Sequence, residues 1–279
     1  MSLDRDGVFM NANKLLLVHL IVFTLLGISC GSEKKRIGQR SEQENSRQEY
    51  NLSNIKESDS EEWSSMISDL GSNKMVRFER EYSTFTDARD GKIYKTVKIN
   101  DQIWMAENLN YVVDDSWCYN NIDSNCVIYG RLYKWDAAMM TCPTGWRLPN
   151  TEDWNNLVLI AGGKRQYIED ELYYYWSEAG EKLKSNTNWN ICHDYDEDNF
   201  VDCDGGGTDN LGFSALPGGF RGVGGNFYEV GAYGYWWGAT EYGNERAWYW
   251  CIRSGIDAVY EKYGNTVGGC SFSVRCIQE

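Results

Sequence analysis

Histidine is almost missing from this sequence. There are two among 279 residues, and only His193 lies beyond the N-terminal apolar run. That scarcity counts against nucleophilic triads and most general-base schemes, which rely on an imidazole, and against a zinc site built on histidine and cysteine. Positive charge is short as well: 27 Lys and Arg against 41 Asp and Glu leave a net charge of −14. Such a chain repels a phosphate backbone, so no nucleic-acid partner is expected. Long hydrophobic runs are absent too. The longest, Leu15 to Leu26, is broken by His19 and Thr24 and falls short of the roughly 20 residues that a bilayer-spanning helix needs. No internal repeat is visible, and the Gly218-Gly219 and Gly224-Gly225 pairs carry no phosphate-loop pattern.

What the short run does have is the grammar of export. Lys14, the apolar core and then Gly27-Ile28-Ser29-Cys30 make a secretory signal over residues 1–29, with Met10 the expected start. Cys30 directly after a small residue resembles a lipobox, in which the thiol accepts a diacylglycerol; ordinary cleavage after Ser29 is the alternative. Nine cysteines less Cys30 leave eight, an even number that can pair completely, which favours the lipid. Residues 30–81 are polar, with ten acidic and nine basic residues between Gly31 and Arg80. They read as a flexible tether, too poor in apolar side chains to offset chain entropy. The remaining residues, 82–279, are long enough for one domain with a real core. In an exported protein their cysteines are read as disulfides rather than a metal cluster.

Within the domain, two β-rich runs flank Asn100-Asp101 and predict a hairpin. The loop from Cys118 to Cys126 is short and polar, and its cysteines can close on each other. Leu132, Trp135, Ala138 and Met139 repeat at helical spacing up to Pro143, which predicts a helix over 131–141. A second helix follows, with Asn150 as N-cap, Trp154, Leu157, Val158 and Ala161 on one face, and Gly162-Gly163 as its stop. After a tyrosine-rich stretch comes an irregular region, 186–210, and then β-like runs broken by glycines. Strands, two helices, a long irregular region and more strands make an α+β domain.

Two sets of residues carry possible chemistry. Asp194, Asp196, Asp198, Asp202, Asp204 and Asp209 fall in a short acidic, glycine-rich stretch. Such oxygens on a bending backbone suit Ca²⁺, the one cofactor expected; a solvated acidic loop is the alternative. Trp236, Trp237, Trp248, Tyr249 and Trp250 can stack on sugar rings, although alternate members of a strand must face inward. The ligand surface expected from them is Trp236, Trp237 and Trp248, with Glu241 nearby.

Several segments resemble the Fibrobacter succinogenes major paralogous domain family. They are Phe85-Thr86-Asp87 with Asp90-Gly91-Lys92-Ile93-Tyr94, Trp104-Met105-Ala106-Glu107-Asn108-Leu109, Gly130-Arg131-Leu132-Tyr133, residues 142–149 (CPTGWRLP), residues 212–219 (GFSALPGG), Tyr235-Trp236-Trp237 with Ala239-Thr240-Glu241, and Ser273-Val274-Arg275-Cys276. The resemblance implies a C-type-lectin-like fold, distantly similar to formylglycine-generating enzymes, whose motif is echoed at residues 147–154. It implies the pairings Cys142–Cys276 and Cys251–Cys270, leaving Cys118–Cys126 and Cys192–Cys203 as local bridges. It brings no settled activity. The expectation is a lipid-anchored bacterial envelope protein, on the outer membrane or cell surface. Its domain is expected to be non-catalytic and to bind a polysaccharide or an envelope protein. An oxidase related to the formylglycine generators and a structural coat protein are the alternatives.

Overall fold

A computed structural model describes residues 81–168, 173–190, 192–196, 199–203 and 205–279, without the side chains of 168, 173, 192–196 and 199–203. The signal segment, Cys30 and the tether lie outside the described residues. No helix among the described residues is long and apolar enough to cross a membrane.

The chain opens with strands β1 (Tyr82–Thr86), β2 (Ile93–Ile99) and β3 (Gln102–Met105). The β2–β3 hairpin turns at Asn100-Asp101 as expected, with Ile99 opposite Gln102 and Asn100 in the left-handed region at φ 52°. Next come β4 (Ser116–Trp117), α1 (Asp123–Tyr129), β5 (Leu132–Tyr133), α2 (Trp135–Thr141), β6 (Trp146–Arg147) and α3 (Thr151–Ile160). Then follow β7 (Lys164–Ile168), β8 (Tyr173–Ser177), α4 (Gly180–Leu183), and the ribbon β9 (Cys192–Asp196) and β10 (Asn199–Cys203). A second ribbon, β11 (Phe220–Arg221) and β12 (Phe227–Tyr228), precedes the long strands β13 (Tyr233–Glu241), β14 (Arg246–Arg253) and β15 (Ala258–Asn265). Short strands β16 (Phe272–Ser273) and β17 (Ile277–Gln278) complete the chain.

The domain is thus α+β with four short helices among the described residues, where two were expected. Helix α1 lies at the Cys118–Cys126 loop, which had read as merely polar. The first expected helix starts late: Leu132 and Tyr133 are buried in β5, paired to β4 and β16. The helical spacing of Leu132 is overridden by the ladder. Helix α3 is as predicted. The Asn150 side chain accepts from the Asp153 N–H, and the Asp153 carboxylate accepts from the Asn150 N–H, a closed capping box worth about 1 kcal/mol. The Arg147 guanidinium grips that same carboxylate from β6, at 2.5 and 2.9 Å.

One antiparallel sheet runs β1-β2-β3-β17-β6; a larger mixed sheet runs β4-β5-β16-β13-β14-β15-β8-β7. Among the described residues its strand pairings are antiparallel except β13 with β16. One core fills the space between the large sheet, α3 and the small sheet, around Trp104, Trp154, Phe213, Trp236 and Trp250. Trp154 stacks on Trp250 at 5.2 Å and meets Trp104 edge-on at 5.4 Å, contacts worth about 0.5–1.5 kcal/mol each beyond burial. A second core, around Tyr133, Trp146, Trp237, Tyr249 and Phe272, packs on the opposite face of the large sheet.

Two bridges staple this frame. Cys118 bonds Cys126, and Cys142 at the end of α2 bonds Cys276 just before β17, across 134 residues of chain. The expected Cys251–Cys270 pair is corrected, because Cys251 is a buried free thiol. Cys251 lies in β14, whereas Cys270 leads into β16, and β13 runs between those strands. With Cys251 unpaired, the eight domain cysteines do not all pair with one another, and parity no longer favours a lipid on Cys30. Cys192 and Cys203 face each other in the β9–β10 register, but their side chains are not among those described.

Candidate functional site

The large sheet is covered on both faces where β13 crosses it, and this decides the fate of the tryptophans. Trp236 points into the first core at 0% exposure, and its indole N–H donates to Asn108 Oδ1 at 2.9 Å. Trp237 points into the second at 1% exposure, meets Phe272 at 4.4 Å and donates to the Tyr133 carbonyl at 2.8 Å. Neither is a ligand surface. That expectation is corrected: alternation cannot expose one of two neighbouring residues when both faces are roofed. Tyr249 and Trp250 are buried for the same reason.

Trp248 and Glu241 differ, because they lie at the far end of β13 and β14, past the roof. The pairing slips between Trp237 and Glu241, after which Glu241 stands opposite Ala247. The hairpin then turns through Gly243 and Glu245, both at positive φ (64° and 58°), and the Tyr242 N–H returns to the Arg246 carbonyl at 2.8 Å. Neighbouring elements hold this end. Trp135 of α2 donates to the Gly238 carbonyl at 2.9 Å, and the Thr151 N–H at the start of α3 donates to Thr240 Oγ1 at 3.0 Å.

On this anchored hairpin three aromatic rings gather at the surface. Tyr242 stacks on Tyr263 at 4.1 Å and meets Trp248 edge-on at 4.8 Å, while Trp248 and Tyr263 are 5.7 Å apart. Tyr242 is 39% exposed, and Trp248 and Tyr263 are half-buried. The Arg246 guanidinium lies 5.4 Å from the Tyr263 ring centre and 5.8 Å from that of Tyr242. An open cleft of about 380 Å³ lies at the tip of the same hairpin, with Trp135, Glu241, Glu245, Arg246 and Thr266 among its walls; Glu241, opposite Ala247, stands on the other face of the sheet from Trp248. The ring cluster therefore offers faces for stacking and a guanidinium as donor on an anchored support. Sequence reasoning found Trp248 here. It missed Tyr242, Tyr263 and Arg246, because only strand register brings them together (Trp248 is opposite Tyr263).

The acidic stretch gives less. The side chains of Asp194, Asp196, Asp198, Asp202 and Asp204, on which the Ca²⁺ reading rests, lie outside those described. Asp209 is described: its carboxylate accepts from the Ser214 N–H at 2.7 Å and the Ser214 hydroxyl at 2.6 Å, clasping the 209–214 loop.

Two further groups have displaced ionisation. Burial pushes the Cys251 thiol up to about 12, so at neutral pH it stays protonated, and the thiol form is a poor nucleophile. Burial also raises the Glu229 carboxyl, which accepts from the Tyr235 hydroxyl and faces Lys262 and Arg253.

The residues of the family-like segments are mostly interior. Arg275 is fully buried, with its guanidinium over the Phe213 ring at 4.5 Å. It donates to Asn108 Oδ1 through Nε at 3.1 Å and Nη2 at 2.8 Å. It also donates to the carbonyls of Met105, Phe213 and Ser214. Burial lowers its ionisation to about 9, still leaving a cation at neutral pH. The Asn108 amide donates onward to the Tyr129 carbonyl at 2.8 Å and Ser273 Oγ at 3.3 Å. Gly130 leaves room for this hub: at φ 74°, a Cβ there would lie 2.7 Å from Asn108 Cβ. Glu107-Asn108-Leu109, Gly130, the 212–219 segment and Val274-Arg275-Cys276 thus meet in one buried polar knot that organises the fold and is separate from the surface rings.

No curated protein and no solved structure matches the chain. A family model described as Fibrobacter succinogenes major domain matches residues 97–278, and the chain belongs to that family.

Proposed function

We propose that this protein is a lipid-anchored cell-envelope protein whose domain has a lectin-like fold and binds carbohydrate without altering it. The observation that carries the reading is the surface cluster of Tyr242, Trp248 and Tyr263 beside Arg246. Aromatic faces flanked by a fixed donor suit a polyol, whose ring carbons stack while its hydroxyls hydrogen-bond. Rigid elements hold the rings, so little ordering entropy is lost on binding. The protonated, buried state of the Cys251 thiol supports the non-catalytic reading over an oxidase that acts through a reactive cysteine.

The test is binding of the purified protein to a panel of plant and bacterial polysaccharides, with Ca²⁺ and with chelator. Saturable binding that Trp248→Ala weakens about tenfold or more, with an unchanged unfolding midpoint, is the expected result. Loss of binding on chelation would add Ca²⁺ and the acidic stretch to the site. No binding in either condition, or binding indifferent to Trp248→Ala, would end the proposal for this surface.

A further inference from the structure

The three surface rings are not isolated on their face of the sheet. Side chains of directly opposed residues share a face, as do every second residue of a strand. Trp248 is opposite Tyr263; two residues along β15, Glu261 is opposite Tyr174 of β8; and Tyr174 is opposite Tyr167 of β7. All therefore lie on one face. Tyr263 and Tyr174 are diagonal neighbours across the β15–β8 pair, roughly 7–8 Å apart. Tyr167 and Tyr174 meet at 4.9 Å, and Tyr167 is 47% exposed.

Between the two ring clusters the floor is polar and locked. Glu261 is 1% exposed and receives the Trp176 indole N–H at 3.3 Å. It also pairs with Arg165, through Nη2 at 3.0 Å and Nε at 3.2 Å. This holds the Arg165 guanidinium over the Tyr174 ring at 3.8 Å, so the plane of the cation extends the aromatic surface.

Building on the carbohydrate reading above, we infer that Tyr242, Trp248, Tyr263, Tyr174 and Tyr167 form one continuous strip that takes an extended, uncharged glycan chain of three or more rings lying across the strands. Length is the first argument. Three strand spacings separate β14 from β7, about 14 Å, a span that one sugar ring does not bridge and a short run of rings does. Charge is the second. The Arg165 cation is neutralised by Glu261 beneath it. A polyanion would meet a chain of net charge −14. An uncharged chain meets no such repulsion and uses donors and acceptors alike.

The experiment is titration of the full protein with linear oligosaccharides of glucose, mannose and N-acetylglucosamine from one to six rings, with polygalacturonate as the anionic control. Affinity should climb with each ring up to three or four and then level off. Tyr167→Ala, at an exposed position, should leave disaccharide binding unchanged and lower hexasaccharide affinity about 2- to 12-fold, the range expected for one aromatic contact. Trp248→Ala should weaken binding at every length. Binding that does not grow beyond two rings, or that ignores Tyr167→Ala at every length, overturns the strip and leaves the smaller site standing. Tighter binding to polygalacturonate than to the neutral ladders overturns the charge argument. No binding to any ladder overturns this inference, and the polysaccharide panel then decides the broader reading separately.

Discussion

Asn108 gives the sharpest stability test, because three donors converge on one side-chain oxygen. Trp236 Nε1, Arg275 Nε and Arg275 Nη2 all reach Asn108 Oδ1 within 3.1 Å. Asn108→Ala would strand two guanidinium N–H groups of a cation with 0% exposure, one indole N–H and the Tyr129 carbonyl. Removing a partner from a buried charge costs about 3–5 kcal/mol, and Arg275 keeps its three carbonyl acceptors, which favours the lower end. A loss of about 3 kcal/mol from a domain of this size lowers the melting temperature by about 6–12 °C. Urea unfolding followed by tryptophan fluorescence, with the disulfides intact, gives the value directly, and an unchanged slope would certify a two-state comparison. Ser273→Ala is the control, since it removes one longer hydrogen bond from the same asparagine and should cost about 1 kcal/mol. If Asn108→Ala costs no more than that control, the knot is not what orders the chain and the reasoning fails.

Further outcomes follow from the same structure. Replacing both Cys142 and Cys276 by Ser should cost about 2–5 kcal/mol, read as a urea-midpoint shift, since that bridge closes a long loop. Asp87 is fully buried and held by Arg89 at 2.6 and 2.9 Å, which pulls its carboxyl below the usual range. Its contribution, about 1–3 kcal/mol, is complete above the ordinary value near 3.9 and is lost as pH falls through the folded value. Asp87→Asn should thus destabilise at pH 7, and the gap to the parent should close in acid; a gap constant with pH would refute this. Finally, the native protein and Cys251→Ala should take up the same amount of maleimide at pH 7, and differ by one equivalent only in denaturant. One extra equivalent in the native state would show Cys251 to be accessible.

Much of the fold was legible because it is written locally. The β2–β3 turn is carried by Asn100-Asp101, and α3 by Asn150, Asp153 and the spacing of Trp154, Leu157 and Val158. What failed was non-local. Leu132 fits a helix by spacing, but with Tyr133 it forms a strand because β4 and β16 flank them. Trp236 and Trp237 looked like ligand residues and are core, since burial on both sheet faces cannot be read from one strand. The Cys251–Cys270 bridge implied by the resemblance does not form, and Cys251 is a buried free thiol in β14. Of the surface cluster only Trp248 is legible in the sequence, and Tyr242 and Tyr263 join it only through register and a turn.

The placement of β1 has a mechanical consequence. It is the edge strand of the small sheet, paired to β2 alone through five register positions from Tyr82 to Thr86. A pull on the chain ahead of Tyr82 therefore loads those pairs one after another, as a zipper, and not all at once in shear. Deeper in, β3 is paired with both β2 and β17, and the covalent Cys142–Cys276 link sits directly before β17. A molecule moored by its N-terminal segment would yield first by peeling β1, lengthening its leash by a few residues while the large sheet keeps its shape under load.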